Sequence, residues 1–265
     1  MIQQPTLTSS LQDYVLNGLV EEVLYQVKSG KEASVFCCRA PFTNHSLLVE
    51  AGALVAAKIY RPAEASGWGN EALRAGRQGG RFRNDAMYRA GQGFTKRRDR
   101  VAFEKKSRHG RALQFGSWLY AEWENLKLLH QAGADVPRPL MHTENSILME
   151  YIGDEEESAP ILNSVELDYR EADTLWQRLL ANVELMLSND RVHADLSAFN
   201  VLYWEGEIKV IDLPQAVDAR KNPNAYTLLQ RDIGNAYRYF YRLGVEANPE
   251  RIAADLWATY RRGRL

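Results

Sequence analysis

At 265 residues the chain has room for one large domain or two small lobes, and 45% apolar with 25% charged residues is an ordinary globular balance. The net charge of −1 excludes a uniformly basic, nucleic-acid-like surface. No stretch is long and apolar enough for a membrane span, the N-terminus carries no basic-then-apolar signal, and no internal repeat is visible. The only two cysteines, Cys37 and Cys38, are adjacent. Neighbours on a strand point to opposite faces, so they suit neither a disulfide nor a shared metal. A reduced, cytoplasmic protein without a membrane partner is the expectation.

Residues 9 to 24 read as a short helix leading into a strand, with Leu11, Val15, Leu19 and Val20 at helical spacing and Gly18 weakening it. Two β-rich runs between Val23 and Cys38 flank the turn Ser29-Gly30-Lys31-Glu32. Such a turn exposes backbone N–H groups and lets phosphate approach at Gly30, yet it is neither a Walker A loop nor a G-x-G-x-x-G loop. A plain hairpin turn has the same signature. After a loop over 40 to 52, Ala53 to Tyr60 reads as a buried strand with one charge, Lys58, which needs a partner if it is buried.

From Arg74 to Arg111 there are 13 Lys/Arg against three acids, about +10, which leaves about −11 for the rest of the chain. Glycines at 76, 79, 80, 91, 93 and 110 make much of this segment loop-like, and Phe82, Tyr88, Phe94 and Phe103 are interleaved. This composition suits contact with RNA or ribonucleoprotein, and equally a solvated insertion. Residues 117 to 131 form an expected helix ending near Gly133. Glu122 falls inside its stripe of Trp118, Leu119, Leu126 and Leu129, which a Lys58–Glu122 ion pair would explain.

Val136 to Leu140 reads as a turn into the strand Ile147 to Gly153, which gives way to the acids Asp154 to Glu157. That transition suits a crossing between two lobes whose backbone meets an adenine edge. A long helix is expected over 171 to 190, with Leu175, Trp176, Leu179, Leu180, Val183, Met186 and Leu187 buried. Val192 to Val217 then reads as a polar loop and a hairpin turning at Glu205-Gly206. Asp195 and Asn200 flank the loop, and Asp212 ends the returning strand. An acid, an amide and a second acid are oxygen ligands suited to Mg²⁺, and D-x-x-x-x-N followed by an Asp is the phosphoryl-transfer arrangement of protein kinases. Helices follow at about 225 to 243 and 249 to 262, the second opened by Asn248-Pro249.

The segments S-G-K-E-A-S-V at 29 to 35, A-A-K-I-Y at 56 to 60, H-A-D-L-S-A-F-N at 193 to 200 and I-D-L-P-Q-A-V at 211 to 217 resemble the RIO family of atypical serine/threonine protein kinases, closest to its RIO1-like and bacterial members. The resemblance covers roughly 23 to 245. It implies an α+β, reduced two-lobed protein-kinase-like fold. The N-lobe would take 1–149, with a basic insertion at about 67–111, and the C-lobe 150–265. It implies ATP with Mg²⁺, or Mn²⁺ in its place, bound by Ser29, Gly30, Lys31, Glu32, Val35, Lys58 and Glu122, with Met149 near the gatekeeper position and Glu150 to Ile152 as the hinge. Asp195 would be the catalytic aspartate, with Lys58 steadying phosphates, and Asn200 and Asp212 would hold the metal. Family members act in small-ribosomal-subunit maturation, which would suit segment 74–111. The chain departs from ordinary kinases in L-P-Q-A after Asp212 and in the missing A-P-E segment. Three further readings stay open: an ATPase switch on ribonucleoprotein with transient phosphate on Asp212, a small-molecule kinase of aminoglycoside-phosphotransferase type, and a nucleotide-binding scaffold without useful catalysis.

Overall fold

The computed structural model describes residues 9–30, 33–42, 49–60 and 108–265. These fall into two compact units, one within 1–123 and 138–158 and the other within 124–137 and 159–265. Residues 124–137 thus count with the second unit and 138–158 with the first.

The first unit is built on an antiparallel sheet. Its strands are β1 (Glu22–Ser29), β2 (Ala33–Arg39), β3 (Leu54–Tyr60), β4 (Pro139–His142) and β5 (Ser146–Glu150), in the order β1-β2-β3-β5-β4. Period-two alternation sorts the side chains. Phe36, Cys38, Val55, Ala57, Ile59 and Leu148 take one face, and helix α1 (Ser9–Leu16) covers it with Leu11 and Tyr14. Cys37 and Ala56 take the other, with Tyr25, Val35, Leu54, Met149 and Tyr151 around them. The adjacent cysteines therefore do point to opposite faces; both are free and buried, and burial pushes their thiols up to about 11 and about 12.

Three expectations need correction here. The helical spacing assigned to Val15, Leu19 and Val20 does not hold, because α1 ends at Leu16; Tyr14 is buried and Val15 half-exposed. Gly18, at φ +66°, turns the chain so that Leu19 and Val20 reach the core from outside the helix. The segment read as a turn at 136 to 140 runs into strand β4, which the prolines had hidden; β4 lies at the sheet edge, where a proline costs no ladder bond. Helix α2 (Arg108–Gln131) begins nine residues before the expected 117, and neither Gly110 nor Gly116 stops it.

The second unit is mostly helical. Helix α3 (Tyr169–Ser188) starts at Asp168, whose carboxylate accepts the Glu171 N–H at 2.9 Å. Two small ribbons follow: β6 (Arg191–Val192) pairs with β9 (Val217–Asp218), and β7 (Val201–Trp204) with β8 (Glu207–Val210). The β7–β8 turn has φ +48° at Glu205 and +81° at Gly206, the doubly left-handed geometry of a tight hairpin. Helices α4 (Ala225–Arg242) and α5 (Pro249–Arg261) complete the unit, with Asn248 capping α5. Trp176 of α3 packs on Tyr237 and Phe240 of α4, with ring centroids 5.5 and 5.3 Å apart.

Candidate active site

In the first unit, β3 carries Lys58 opposite Val35 of β2 and Ile147 of β5. Its ammonium lies 2.7 Å from Glu122 Oε1 of α2, and the two side chains are only 13% and 5% exposed. At that burial each charge requires the other, so the acid in the apolar stripe and the lysine in the buried strand explain one another. Leu119, Leu126 and Leu129 are buried around Glu122 as the periodicity required. Lys58 also lies 5.2 Å from the ring centre of Tyr60.

Of the phosphate-loop residues, Ser29 ends β1 and the Gly30 N–H donates to the Ala33 carbonyl at 2.9 Å. A Cβ at position 30 would come within 3.3 Å of that carbonyl, so the turn is closed too tightly for a larger residue without adjustment. Lys31 and Glu32 lie outside the described residues, as does the basic segment up to residue 107. Val35 and Met149 share the sheet face on which Cys37 and Ala56 lie. The expected hinge begins at the end of β5. The Glu150 N–H is taken by the Arg138 carbonyl at 2.8 Å, so it is not a donor for a ligand edge. Ile152 follows the strand, and Gly153, at φ +132°, bridges to Ser158. Tyr25 and Tyr151 join β1 to this segment through a 2.6 Å hydroxyl–hydroxyl hydrogen bond.

In the second unit the three polar residues of the loop and hairpin are knitted through the backbone. The Asn200 side-chain N–H donates to the Asp195 carbonyl at 2.9 Å, and the Ile211 N–H donates to the Asn200 carbonyl at 3.0 Å. A carbonyl only accepts, so the first bond fixes the amide of Asn200 with its nitrogen toward Asp195 and its oxygen turned away. Asp212 does not end a strand, as the sequence suggested. It lies two residues beyond the end of β8, at φ +68°. The buried His193 imidazole donates from Nε2 to the Ile211 carbonyl at 3.1 Å. Burial pushes its pKa down, so the ring is neutral and its Nδ1 is left buried without a hydrogen-bond partner among the described residues.

Sequence reading missed the residue beneath Asp195. Asp232 of α4 is 1% exposed; its Oδ2 accepts the Ala194 N–H at 2.6 Å and its Oδ1 the Leu196 N–H at 3.2 Å. These two amides flank Asp195. Arg231 adds a hydrogen bond to the Ala194 carbonyl. Ala194 itself sits at φ +63°, which a side chain rarely adopts without such support. The signal was present: Asp232 interrupts the stripe Leu228, Leu229, Ile233, Ala236, just as Glu122 interrupts its own. The hairpin has a further anchor in Asp135, whose carbonyl accepts the Val210 N–H at 2.7 Å. Burial would raise the Asp135 carboxyl, but Arg178 and Asn182 outweigh it and hold it below the usual range.

Among the described residues no group of three or more His, Cys, Asp and Glu side chains is disposed to hold a metal alone. That agrees with the donor chemistry of Asp212 and Asn200. One carboxylate and one amide oxygen suit a hard cation that completes its shell with water and phosphate oxygens, and the residues present fit Mg²⁺ in that manner.

A family model described as RIO domain matches residues 85–252. That range includes Glu122, Asp195, Asn200, Asp212 and Asp232 and leaves out Lys58. The RIO-type serine/threonine-protein kinase Rio1 of Thermoplasma acidophilum is 36% identical over 135 residues, covering 51% of this chain and 69% of that one. The serine/threonine-protein kinase rio1 of Schizosaccharomyces pombe is 28% identical over 249 residues, 91% of this chain but 43% of its own. Among solved structures, the Rio2 kinase of Chaetomium thermophilum, in an ADP/Mg²⁺-phosphoaspartate complex, covers 94% of this chain and 65% of its own, with TM-score 0.61 and 18% identity. The fold is thus the reduced kinase-like α+β fold, with an antiparallel-sheet unit and a helical unit, and the chain belongs to the RIO-domain family on its RIO1-like side.

Proposed function

We propose that the chain is a Mg²⁺-dependent ATP phosphotransferase of RIO type, phosphorylating serine or threonine. The observation that carries this reading is the backbone-knitted set Asp195, Asn200 and Asp212, supported from below by Asp232. Lys58, held by Glu122, steadies the α/β phosphates; Asp195 orients the acceptor hydroxyl and takes its proton. Asn200 and Asp212 hold Mg²⁺, which when bound neutralises charge developing on the transferred group. Ser29, Gly30, Val35, Met149 and the Glu150–Ile152 segment line the nucleotide site. ATP turnover by Asp195→Ala and Asp212→Ala proteins of unchanged fold tests the assignment: both should lose activity, and near-normal rates in both would sink it.

A second reading makes Asp212 itself the acceptor. Its carboxylate oxygen attacks the γ-phosphorus, the bond to the bridging oxygen of ADP breaks, and water later cleaves the acyl phosphate. The phosphoaspartate in the Chaetomium Rio2 complex favours considering it. Label released by hydroxylamine would support this ATPase cycle, and hydroxylamine-stable label would support serine or threonine transfer. The S-G-K-E-A-S-V loop disfavours an aminoglycoside-type kinase, and the intact charged set disfavours an inert scaffold.

Segment 74–111 is assigned to ribosomal RNA or small-subunit ribonucleoprotein on its charge of about +10. Binding to ribosomal subunits should weaken steeply with salt and with charge reversal between Arg97 and Arg111; unchanged binding would remove the segment from the argument. Two buried free thiols support a reduced, cytoplasmic setting.

A further inference from the structure

Asp212 is a branched-free but substituted residue in the left-handed region, at φ +68°. That conformation is uncommon outside glycine, though aspartate enters it more readily than most residues, and here the surroundings hold it. The surroundings here are two buried side chains that grip the carbonyls on either side. His193 donates to Ile211 on one flank, as described. On the other, Nδ2 of Asn125 donates to the Leu213 carbonyl at 3.2 Å.

Asn125 is 6% exposed and lies in α2, three residues after Glu122. Its Oδ1 accepts from Arg191 Nε at 2.8 Å. A guanidinium only donates and a carbonyl only accepts, so the amide has one satisfactory orientation and cannot turn over. Arg191 is fixed in its turn by β6, paired with Asp218 of β9. The Leu213 carbonyl by itself keeps the amide nitrogen turned toward it, and Arg191 adds a second, separate arm on the amide oxygen.

We propose that Asn125 is a positioning residue for Asp212, holding the Leu213–Pro214 peptide, one residue beyond it, so that the carboxylate is presented to the Mg²⁺–nucleotide. This rests on Asp212 being a metal ligand. A buried asparagine that merely satisfies its own hydrogen bonds would stabilise the fold and leave metal affinity alone, and the two roles separate by which arm is cut. Asn125→Asp keeps the acceptor for Arg191 and loses the donor to Leu213. Asn125→Leu loses both. Arg191→Met loses only the other arm.

The experiment measures Mn²⁺ affinity by calorimetry with a non-hydrolysable ATP analogue at saturation, and hydrogen exchange of residues 211–215 in metal-free, nucleotide-free protein. Asn125→Asp and Asn125→Leu should weaken Mn²⁺ binding about tenfold, the low end for groups that orient a metal ligand, and speed exchange in that segment. Arg191→Met should bind Mn²⁺ within about twofold of the parent. Should Asn125→Leu fail to fold, the nearly isosteric Asn125→Asp decides. Parent-like Mn²⁺ affinity in Asn125→Asp, or an equal loss in Arg191→Met, overturns the proposal. Asp212→Ala separates the two levels: if it leaves Mn²⁺ affinity unchanged, the metal-ligand reading itself has failed, and the role of Asn125 with it.

Discussion

Replacing Asp232 by asparagine removes one acceptor from beneath Asp195 and changes almost no volume. In the parent both carboxylate oxygens accept, one from Ala194 N–H and one from Leu196 N–H, at 2.6 and 3.2 Å. The asparagine amide has one acceptor, so in either orientation its NH₂ confronts a backbone N–H. A buried donor left unsatisfied costs about 1–3 kcal/mol. The left-handed Ala194 stores about 1–2 kcal/mol that the clamp must hold. The loss thus matches or exceeds the strain, and the loop relaxes. A misplacement near 1 Å is worth about 10²-fold in rate. Asp232→Asn should therefore lower kcat about 10²-fold, while KM for ATP moves less than about threefold because Lys58 and Glu122 belong to the other unit. Steady-state turnover, with hydrogen exchange over 193–197, measures it. Turnover within threefold of the parent would refute the clamp.

The same residue makes a pH prediction of unusual sign. Burial, opposed in part by Arg231 and the two N–H donors, raises the Asp232 carboxyl to about 7. Only the ionised form offers two acceptors without a competing proton, so parent activity should rise from pH 6 to 8, and this limb should be absent in Asp232→Asn. Fold stability runs the other way. The folded pKa lies above the unfolded one, so the contribution is full below about 4 and is lost as pH rises through about 7. The parent should lose stability relative to Asp232→Asn between about pH 4 and 7 in chemical denaturation, with little further change above that.

Lys58→Met should destabilise the protein by about 3 kcal/mol in urea, and adding Glu122→Leu should return most of it, since replacing both ions by apolar groups removes the desolvation cost. Nucleotide affinity should stay lost in both, and its recovery in the double variant would exclude Lys58 from binding ATP. Burial alone would raise the Asp218 carboxyl, but Arg220 and Lys221 hold it at about 2. With Arg220 60% exposed, the stabilisation is screened to about 1 kcal/mol. Asp218→Asn should cost that much at pH 7, and the difference should shrink as pH falls from about 4 toward 2; a gap that widens on acidification would contradict the sign. Gly206→Ala meets nothing within 4 Å, so its cost is the left-handed backbone alone. It should lower Tm by about 2–4 °C, equivalent to about 1 kcal/mol, and an unchanged Tm would show that the turn relaxes freely.

The sequence by itself determined whatever depends on neighbours a few residues apart. β-rich and apolar runs located β1, β2, β3 and β5, and Asn248-Pro249 opened α5. Glu205-Gly206 turned the hairpin, and a lone charge in each of two apolar patterns matched Lys58 to Glu122. The tertiary structure decided the support around Asp195 and Asp212. Both lie next to or in left-handed backbone, and the backbone around them is held by His193, Asn125 and Asp232, through bonds that span 18, 88 and up to 38 residues. Propensity and periodicity act along the chain, whereas a buried N–H or carbonyl is satisfied by whatever group packing brings to it. For the same reason β4 escaped the sequence reading: its prolines argue against a strand locally, and only its place at the sheet edge makes them harmless.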